Sequence, residues 1–592
     1  MKKVLGLSEV KVEYTPWKLI LDLGRLIKPY RWRFIGGSLF RLFSDLIWLY
    51  PPFAFATIVT FLTNYQAGEP LNELWFVLTL WGLAVTFHST FRFLAKWLGY
   101  RVAERVAIDS TLETLKHLFL LDMIWHEREN SGNKIKRIQN GATGLDKILR
   151  VWFNNLIEII VNFVGIIFIF AVLDTTILIF LLIFMVLYFC VSFVLTRRAA
   201  AASYMVNERE EQVSGLMFEA INNIRSVKVM AIASEIYGIA VQRTGVLFEK
   251  IKVRIFRFQF RSSSLNFLGQ AFRFGILAFI VVGILDGHYE VGFLVLFNGY
   301  FVNIWSSVDE LSEVTQEFIT ARFSISRMKD IVNAPLGIDD ERGKVALPPD
   351  WEKITLKNVT FSYGDLGVLN DVSFEIKRGE KIGIVGLSGA GKSTLFKLLL
   401  KERDEFTGDI LFDDISIKNI SRNNYFRHVS TVLQDTEVFN LSLRENITIT
   451  KPGEKKSEQL LAEALETAHV ADFLSKLPEG IDTVVGEKGV KLSGGERQRL
   501  GIARAIYKQP ELLLMDEATS HLDLESEEKI RDSLHKLFEK VTAVVIAHRL
   551  TTIKEMDKIL VLEGGTLIES GNFNQLMQKK GRFFELWEKQ KL

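Results

Sequence analysis

Apolar residues are concentrated in six stretches that all lie before residue 310. Each stretch is close to the ~20 residues that a helix needs to cross a hydrocarbon core of ~30 Å. Two adjacent prolines, Pro51 and Pro52, interrupt the first stretch, which is tolerated where neighbouring groups satisfy the freed carbonyls. The pattern predicts six membrane-spanning helices, at 34–63, 72–98, 149–171, 176–196, 264–285 and 289–306.

The basic residues between these stretches predict the orientation. The loop 101–150 holds nine Lys and Arg residues and the loop 197–261 holds eleven, whereas the three short connections hold none. Because Lys and Arg are retained on the inner side of a membrane, both long loops and both termini are expected to be cytoplasmic. The chain is therefore predicted to be a multi-pass protein of the cell membrane.

Apolar residues also recur at helical spacing inside the long loops, as at Val102, Val106, Leu112 and Leu115. This spacing predicts that the membrane helices continue well into the cytosol. Residues 16–31 resemble an amphipathic helix that lies on the inner membrane surface.

After residue 330 the apolar blocks stop, and Pro335, Pro348 and Pro349 mark a linker. Short β-rich runs follow at 354–361, 372–376 and 381–385, and then strand and helix patterns alternate. The order predicts an α-helical polytopic membrane domain at 1–330, a linker at 331–350 and an α/β nucleotide-binding domain at 351–592.

Charge and cysteine content exclude several functions. The chain of 592 residues carries 72 Lys and Arg against 70 Asp and Glu, a net charge of +2, so no global basic field attracts nucleic acid. We expect no nucleic-acid partner. Cys190 is the only cysteine, which excludes a disulfide framework and a thiolate zinc site.

A Gly-rich segment carries the main chemical signal. Gly386 to Thr394 read GLSGAGKST, the phosphate-loop pattern, between the run 381–385 and an apolar helix that begins at Thr394. The glycines allow backbone N–H groups to face phosphates, Lys392 reaches the β- and γ-phosphates, and Ser393 can hold Mg²⁺. The predicted nucleotide contacts in this loop are Gly386, Ser388, Gly389, Gly391, Lys392, Ser393 and Thr394.

Two adjacent carboxylates end a later strand. The run 512–515 is apolar and leads into Asp516 and Glu517, 124 residues after Lys392. A buried strand of this kind delivers Asp516 to the phosphate edge, where it can hold Mg²⁺ through water. The adjacent Glu517 can orient or deprotonate the attacking water.

Residues 492–496 read LSGGE, 24 residues before Asp516, and resemble the signature of ATP-binding cassette (ABC) proteins. With its six spans, the whole chain resembles an ABC exporter half-transporter of the bacterial lipid-flippase and multidrug type. The resemblance implies ATP and Mg²⁺ as cofactors, an ATPase coupled to transport, and a prokaryotic inner or plasma membrane. It also implies that Ser493, Gly494 and Gly495 contact nucleotide.

The same resemblance assigns further residues. Tyr363 matches the aromatic residue that stacks on adenine, Gln434 matches the glutamine that touches Mg²⁺, and His548 matches the histidine at the γ-phosphate. Glu517 and His548 are thus the predicted catalytic residues. The predicted metal ligands are Ser393, Gln434 and Asp516, the last through water.

Three other segments carry weaker matches. Residues 483–489, which include Glu487, resemble the short exporter loop before the signature, and 124–130 and 231–237 resemble the two coupling helices. His521 stands where the family usually has Ala, two residues before the expected Asp523. His521 is either a tolerated surface residue, which we favour, or a modifier of the communication between sites.

The resemblance implies a dimer. In this family the signature serine, here Ser493, contacts the γ-phosphate bound to the other cassette, and the transport unit has twelve spans where this chain has six. The partner is a second half-transporter chain. We favour a homodimer, which would have two competent sites, and a heterodimer stays an alternative. The residues on which this rests are all intact: Lys392, Gln434, Ser493, Glu517 and His548.

Charged residues within spans indicate function by default. Arg41 and Asp45 can pair at i,i+4, and further cationic groups lie at Arg92, Lys96 and Arg273. One interpretation is a cavity that accepts an amphiphile with an anionic head. The other, which we favour, is that these side chains snorkel to water where the helices leave the bilayer.

Together these features predict ATP-driven export or flipping of an amphipathic substrate (lipid, lipid-linked, peptide or drug-like) by alternating access of a dimer in contact with membrane lipids. The alternative is an ATP-gated channel or regulatory subunit on the same scaffold. The intact Glu517 and the signature favour turnover of ATP, because a gate needs less hydrolysis.

Overall fold

The computed structural model describes residues 14–127, 131–337, 341–434, 436–451, 457–485, 492–516, 524–546 and 552–591. The chain divides into two units. The first comprises the residues up to Leu118 together with Gly132–Asn333, and the second comprises Phe119–Ser131 together with Ala334–Leu592. A short segment between two membrane helices therefore groups with the C-terminal half of the chain.

The described residues of the first unit form helices and the turns that connect them, with no strand. Its helices, with α5 of the second unit in sequence, are α1 (Pro16–Ile27), α2 (Arg31–Ile47), α3 (Tyr50–Asn64), α4 (Asn72–Phe119), α5 (Met123–Glu127), α6 (Ser131–Val151), α7 (Ile157–Leu173), α8 (Thr175–Asn222), α9 (Ile224–Val229), α10 (Ala233–Leu285) and α11 (Val291–Val332). In the described part of the chain, six helical stretches are long and apolar enough to cross a membrane, as predicted.

The helices continue far beyond their apolar segments, which confirms the expectation from the loop periodicity. Helices α4 and α8 have 48 residues each, and α10 has 53. The short helix between α8 and α10 is α9, and Ala231 lies in a turn with a φ of 55° before α10 begins. The segment 231–237, which resembles the second coupling helix in sequence, therefore consists of a turn and the first residues of α10, and the separate short helix lies just before it.

The first span is broken between α2 and α3, at Trp48 and Leu49, and not at the prolines themselves. Pro51 and Pro52 occupy the first turn of α3, where the missing N–H is harmless. Tyr300 donates its hydroxyl to the Leu49 carbonyl at 2.7 Å, which satisfies one of the carbonyls that the break frees.

Helix α1 is tied to the rest of the first unit. Leu19 is fully buried against Leu145, Ile325 and Met328, which lie on α6 and α11. On the opposite side of α1, Trp17 is 67% exposed. The helix is thus amphipathic as predicted, with one face packed on the bundle.

The second unit is an α/β domain. Its strands are β1 (Lys353–Tyr363), β2 (Leu366–Lys377), β3 (Lys381–Val385), β4 (Thr407–Phe412), β5 (Ile415–Ser416), β6 (Val429–Val432), β7 (Leu512–Asp516), β8 (Thr542–Ile546), β9 (Lys558–Glu563) and β10 (Thr566–Gly571). Its helices after residue 390 are α12 (Lys392–Leu399), α13 (Arg422–His428), α14 (Leu443–Thr448), α15 (Glu458–Thr467), α16 (Ala471–Leu474), α17 (Gly494–Lys508), α18 (Leu524–Phe538), α19 (Phe573–Lys579) and α20 (Arg582–Lys591).

Two sheets organise this unit. The larger has the order β10-β9-β3-β8-β7-β6 and is parallel except at β10, and the smaller is the antiparallel sheet β2-β1-β4-β5. The three β-rich runs predicted from the sequence lie within β1, β2 and β3. Strands β3, β7 and β8 are almost wholly buried, as expected for parallel strands covered on both faces.

Candidate functional site

The register of the parallel sheet brings the predicted residues to one edge. Ile384 of β3 pairs with Ile546 of β8, and Ile546 pairs with Asp516 of β7. Asp516 therefore lies level with Ile384, two strands away, which is ~10 Å at ~4.8 Å per strand. The phosphate loop begins two residues after Ile384. Ligands of open α/β sheets bind at this carboxyl edge.

The backbone of the phosphate loop requires glycine at particular positions. Gly386, Gly389 and Gly391 have φ values of +157°, +81° and +96°, respectively. A Cβ on Gly386 would lie 2.3 Å from the Leu562 carbonyl oxygen, and one on Gly391 would lie 2.8 Å from Leu369 Cδ2. The loop is a concave backbone turn that side chains would obstruct, which fits the cradling of phosphate.

Lys392 is the first residue of α12, which Gly391 caps in a left-handed conformation. Its side chain is buried, and its Nζ donates to the carbonyls of Gly386 and Leu387 at 2.9 and 3.0 Å. The ammonium group thus lies inside the turn, next to the N-terminal end of a helix. Ser388 and Ser393 are exposed on the loop, and Thr394 is buried beneath it. The arrangement presents positive charge and backbone donors to an anion.

Gln434 is exposed two residues after β6, at the same edge of the sheet. The segment after it is held by Asn446, a buried residue that donates to the carbonyls of Phe439, Leu441 and Ser442. Arg504 of α17 donates to the Asn446 side chain at 2.7 Å. The loop that carries Gln434 is therefore fixed to α17 through hydrogen bonds.

The segment predicted as the ABC signature opens helix α17. Ser493 is its N-cap and forms a capping box with Glu496, in which Ser493 Oγ accepts from the Glu496 N–H and Glu496 Oε2 accepts from the Ser493 N–H. Ser493 and Gly494 are exposed, and a Cβ on Gly494 would meet nothing within 4 Å. The positive end of a 15-residue helix is thus open to an incoming anion.

The predicted loop before the signature pairs with the segment before α14. Ser442 and Val484 form an isolated β-bridge, and the Leu443 N–H donates to the Thr483 carbonyl at 3.0 Å. Val484 is 48% exposed. Glu487, which belongs to the same predicted loop, lies outside the described residues.

Four other predicted residues lie outside the described part of the chain: Glu517, His521, Asp523 and His548. Their neighbours are placed, since Asp516 ends β7 and Ile546 ends β8 in adjacent strands. The sequence therefore puts Glu517 one residue, and His548 two residues, after strands that end at the carboxyl edge.

Tyr363 ends β1 and is 37% exposed. Its ring meets Phe361 edge-to-face, with 4.9 Å between centroids. The guanidinium of Arg403 lies 5.6 Å from the Tyr363 ring centroid and also forms an ion pair with Glu127. Sequence reasoning missed Arg403 because its carboxylate partner is 276 residues away in the chain.

Helix α5, in the segment predicted as the first coupling helix, borders a cavity of about 900 Å³ in the second unit. Cationic residues line much of it, among them Arg422, Arg427 and Lys508. Burial lowers the pKa of Lys508 to about 8, and its Nζ donates to the Val429 carbonyl at 2.8 Å.

Charged residues of the membrane helices pair with one another, and these pairs include the predicted one between Arg41 and Asp45 as well as one with Glu158 that the sequence did not predict. Arg41 is fully buried and pairs with Asp45 at 2.9 Å and with Glu158. Its Nη2 also donates to the Asn154 carbonyl, which lies in a π-helical turn over Trp152–Leu156. Arg41 therefore neither lines an open cavity nor snorkels to water. It satisfies carboxylates and a π-turn carbonyl inside the helix bundle.

The other charged and polar residues considered within these spans are placed differently. Arg273 is half-buried and donates from Nε to the Asn298 side chain at 2.9 Å. His88 is buried, lies 3.0 Å from Ser44 Oγ through Nδ1, and stacks on Trp48. Arg92 and Lys96 are half-buried on α4. His88 thus belongs to the packing between α2 and α4.

A phosphate loop, an acidic strand end and a capped signature helix, on a chain with six apolar helices, define a membrane-bound nucleotide-hydrolysing transporter. The chain matches the family model "ABC transporter" over residues 369–520 and the model "ABC transporter transmembrane region" over residues 34–307. The leukotoxin export ATP-binding protein LtxB of Aggregatibacter actinomycetemcomitans is 30% identical over 95% of this chain and 79% of that protein. The chain belongs to the ABC transporter family.

Two further relatives refine the comparison. Heavy metal tolerance factor 1 of Caenorhabditis elegans is 32% identical to this chain. The match covers 81% of this chain and 60% of that protein, so this chain spans less than two thirds of that relative. The structure of a bacterial Atm1-family ABC exporter with ATP bound superposes with a TM-score of 0.84 at 28% identity, covering 95% of this chain and 98% of that one. The protein is thus an ATP-binding exporter whose ATPase activity is coupled to transport, and its half-transporter architecture requires a dimer.

Proposed function

We propose that two copies of this chain form an exporter or flippase that moves an amphipathic compound across the cytoplasmic membrane by alternating access. The proposal rests on one observation. A single chain carries a phosphate loop with the required glycine conformations, an exposed N-terminus of the signature helix and six helices able to span a membrane. Each copy would supply both halves that a composite ATP site needs, so two equal sites follow in a homodimer.

The chain's own residues have defined tasks in this proposal. Lys392, already held inside the turn, moves its ammonium from loop carbonyls to the β- and γ-phosphates of ATP. Tyr363 supplies an aromatic face for adenine. Ser493 and the N–H groups of Gly494 and Gly495, at the open end of α17, bind the γ-phosphate held by the partner cassette.

The two remaining tasks fall to residues after the parallel strands. Glu517 accepts a proton from the attacking water, and His548 donates a hydrogen bond to the γ-phosphate. Ser393, Gln434 and, through water, Asp516 would hold Mg²⁺, because hydroxyl, amide and carboxylate oxygens suit that ion. When bound, it would neutralise charge on the phosphates.

We predict that Glu517→Gln leaves ATP binding intact and lowers hydrolysis by at least a hundredfold, because the variant removes the proton acceptor and keeps the shape. The measurement compares ATP affinity and the rate of phosphate release for the full protein in nanodiscs. A variant that hydrolyses ATP within about twofold of the wild type, a difference of about 0.4 kcal/mol in the barrier, would show that Glu517 is not the catalytic base.

Substrate class and transport mode need separate measurements. ATPase stimulation in nanodiscs across lipid, peptide and drug-like panels tests the amphipathic substrate, and stimulation by none of them contradicts it. Uptake into inverted vesicles separates pumping from the alternative of an ATP-gated channel. Accumulation above the electrochemical gradient supports the exporter, whereas equilibration without accumulation supports the channel.

A further inference from the structure

Tyr363 is held by two unlike contacts. Phe361, which is buried, meets its ring edge-to-face at an interplanar angle of 88°. The Arg403 guanidinium lies within the ~6 Å at which a cation is attracted by an aromatic face. The orientation of this exposed ring therefore depends on where Arg403 is held.

Arg403 follows the phosphate-loop helix α12 and is only 9% exposed at its side chain. A buried guanidinium is stable only when charged or polar acceptors satisfy it. Glu127 provides a carboxylate, to which Arg403 donates from Nη2. This charge-assisted bond fixes the guanidinium more strongly than the contact with a ring can. Glu127 thus determines the position of Arg403.

Glu127 is the last residue of α5, in the segment between two membrane helices. The start of α5 is anchored by Asp122, whose Oδ1 accepts from the Trp125 N–H at 2.8 Å. Asp122 also approaches Gly337 so closely that a Cβ there would lie 2.3 Å from Asp122 Oδ2. The segment that contains α5 therefore contacts other parts of the second unit at both ends, near Gly337 and at Arg403, and the Arg403 contact continues to Tyr363.

We propose that Arg403 is a positioning residue that makes the affinity for the adenine base depend on the position of α5. Arg403 contacts both the Tyr363 ring and the Glu127 carboxylate. A shift of α5 would therefore move Arg403 and change its contact with the Tyr363 ring. By linkage, ATP bound at Tyr363 favours the same position of α5. The inference rests on the proposed role of Tyr363 as the adenine platform.

A structurally similar trio elsewhere in the same unit supplies the matched control. Arg378 lies 5.4 Å from the Trp351 ring centroid and pairs with Glu511 at 3.0 Å. It reproduces the chemistry of Arg403 with an aromatic ring and a carboxylate, but contacts neither Tyr363 nor α5 in the described contacts. Arg378→Met therefore measures how the loss of one such set of contacts affects the KM for ATP when the nucleotide site itself is unchanged.

The test uses the full-length dimer in nanodiscs. We expect Arg403→Met to raise the KM for ATP about fivefold, the equivalent of about 1 kcal/mol, with kcat changed less than about twofold. Its preference for ATP over a pyrimidine nucleoside triphosphate should fall by a similar factor. Glu127→Gln, a conservative change, should raise the KM about twofold. The double variant Glu127→Gln with Arg403→Met should have the same KM for ATP as Arg403→Met alone, because Glu127 acts through Arg403.

The results separate this inference from the proposed function. If Tyr363→Leu leaves the KM for ATP unchanged, the adenine role of Tyr363 is refuted. If Tyr363→Leu raises the KM but Arg403→Met does not, this inference alone fails. Multiplicative effects in the double variant, or an equal rise in KM with Arg378→Met, would also overturn it.

Discussion

At the scale of single residues, the phosphate loop depends on backbone conformations that only glycine adopts without strain. Gly389 and Gly391 both have positive φ, but their surroundings differ. A Cβ on Gly389 would meet nothing within 4 Å, whereas one on Gly391 would lie 2.8 Å from Leu369 Cδ2 and 3.0 Å from the Val368 carbonyl. The two positions separate backbone strain from steric obstruction.

We predict that Gly391→Ala is more damaging than Gly389→Ala. Strain alone costs about 1–3 kcal/mol at either position, and Gly391→Ala must also displace β2 from the loop. Fluorescent-nucleotide titration should show weakened ATP binding for both variants, with the larger loss for Gly391→Ala. Equal losses would mean that the contact with Leu369 is unimportant.

Lys508 gives a residue-scale prediction of pH dependence. Its pKa is lowered to about 8 by burial, from about 10.4 in an unfolded chain, so the unfolded state binds more protons between these values. The free energy of unfolding therefore rises with pH from about 8 to about 10, by at most about 1.4 kcal/mol per pH unit from this group. Below pH 8 its contribution is constant.

Thermal unfolding of wild type and Lys508→Met across this range measures the effect as a difference in slope. In Lys508→Met the free energy of unfolding should no longer show this increase with pH, because Met has no titratable group. Lys476→Met, at an exposed position, should keep the wild-type slope. A Lys508→Met protein with an unchanged slope would show that the lysine is not the titrating group.

At the scale of elements, two capping boxes can be read from the sequence. Ser442 with Glu445 opens α14, and Ser493 with Glu496 opens α17. Both follow the spacing in which a serine hydroxyl and a carboxylate satisfy each other's backbone N–H groups. They stabilise their helices in the same way but differ in proposed function.

We predict that Ser442→Ala and Ser493→Ala each lower stability by about 1 kcal/mol, the usual cost of removing a cap. Only Ser493→Ala should lower ATP hydrolysis at saturating nucleotide. Denaturation and ATPase measurements on the same preparations make the comparison. An equal loss of hydrolysis in both variants would show that Ser493 acts only as a helix cap and has no separate role in ATP hydrolysis.

The cluster around Arg41 gives a prediction at the level of helix packing. Arg41 neutralises part of the charge of Asp45 and Glu158 within the bundle, and Arg41→Met would leave both carboxylates without it. Breaking a buried pair costs about 3–5 kcal/mol, so the variant should unfold at markedly lower temperature in nanodiscs.

Two controls define the result. Arg105 and Asp109 pair at the same i,i+4 spacing but are largely exposed, so Arg105→Met should change the unfolding temperature little. The triple change Arg41→Met, Asp45→Asn and Glu158→Gln should recover much of the loss. A single Arg41→Met variant as stable as the wild type would contradict a structural role for Arg41.

At the scale of the whole molecule, the sequence predicted what local patterns determine. The six spans, the long helices and the three first strands of the cassette follow from periodicity, and the phosphate loop follows from a contiguous motif. The Arg41–Asp45 pair was also foreseeable because both residues lie on one turn of helix. Each of these features depends on residues near one another in the chain.

Contacts between distant segments were not predictable in this way. Glu158 joins Arg41 from 117 residues away, and Glu127 joins Arg403 from 276 residues away. The turn between α9 and α10 was not predicted, because Ala231 adopts its positive φ at a position that has no Gly or Asn to indicate it. Only the folded arrangement shows which charged residues meet.

The length of α10 has a mechanical consequence. Its 53 residues extend over about 80 Å, of which a bilayer core accounts for about 30 Å. A tilt of about 5° about the membrane boundary would displace the far end of the remaining ~50 Å by about 4 Å. A rotation too small to disturb side-chain packing in the bilayer thus becomes a movement as large as a side chain at the distant end. The displacement of the far end for a given tilt therefore increases with the length of α10 outside the bilayer.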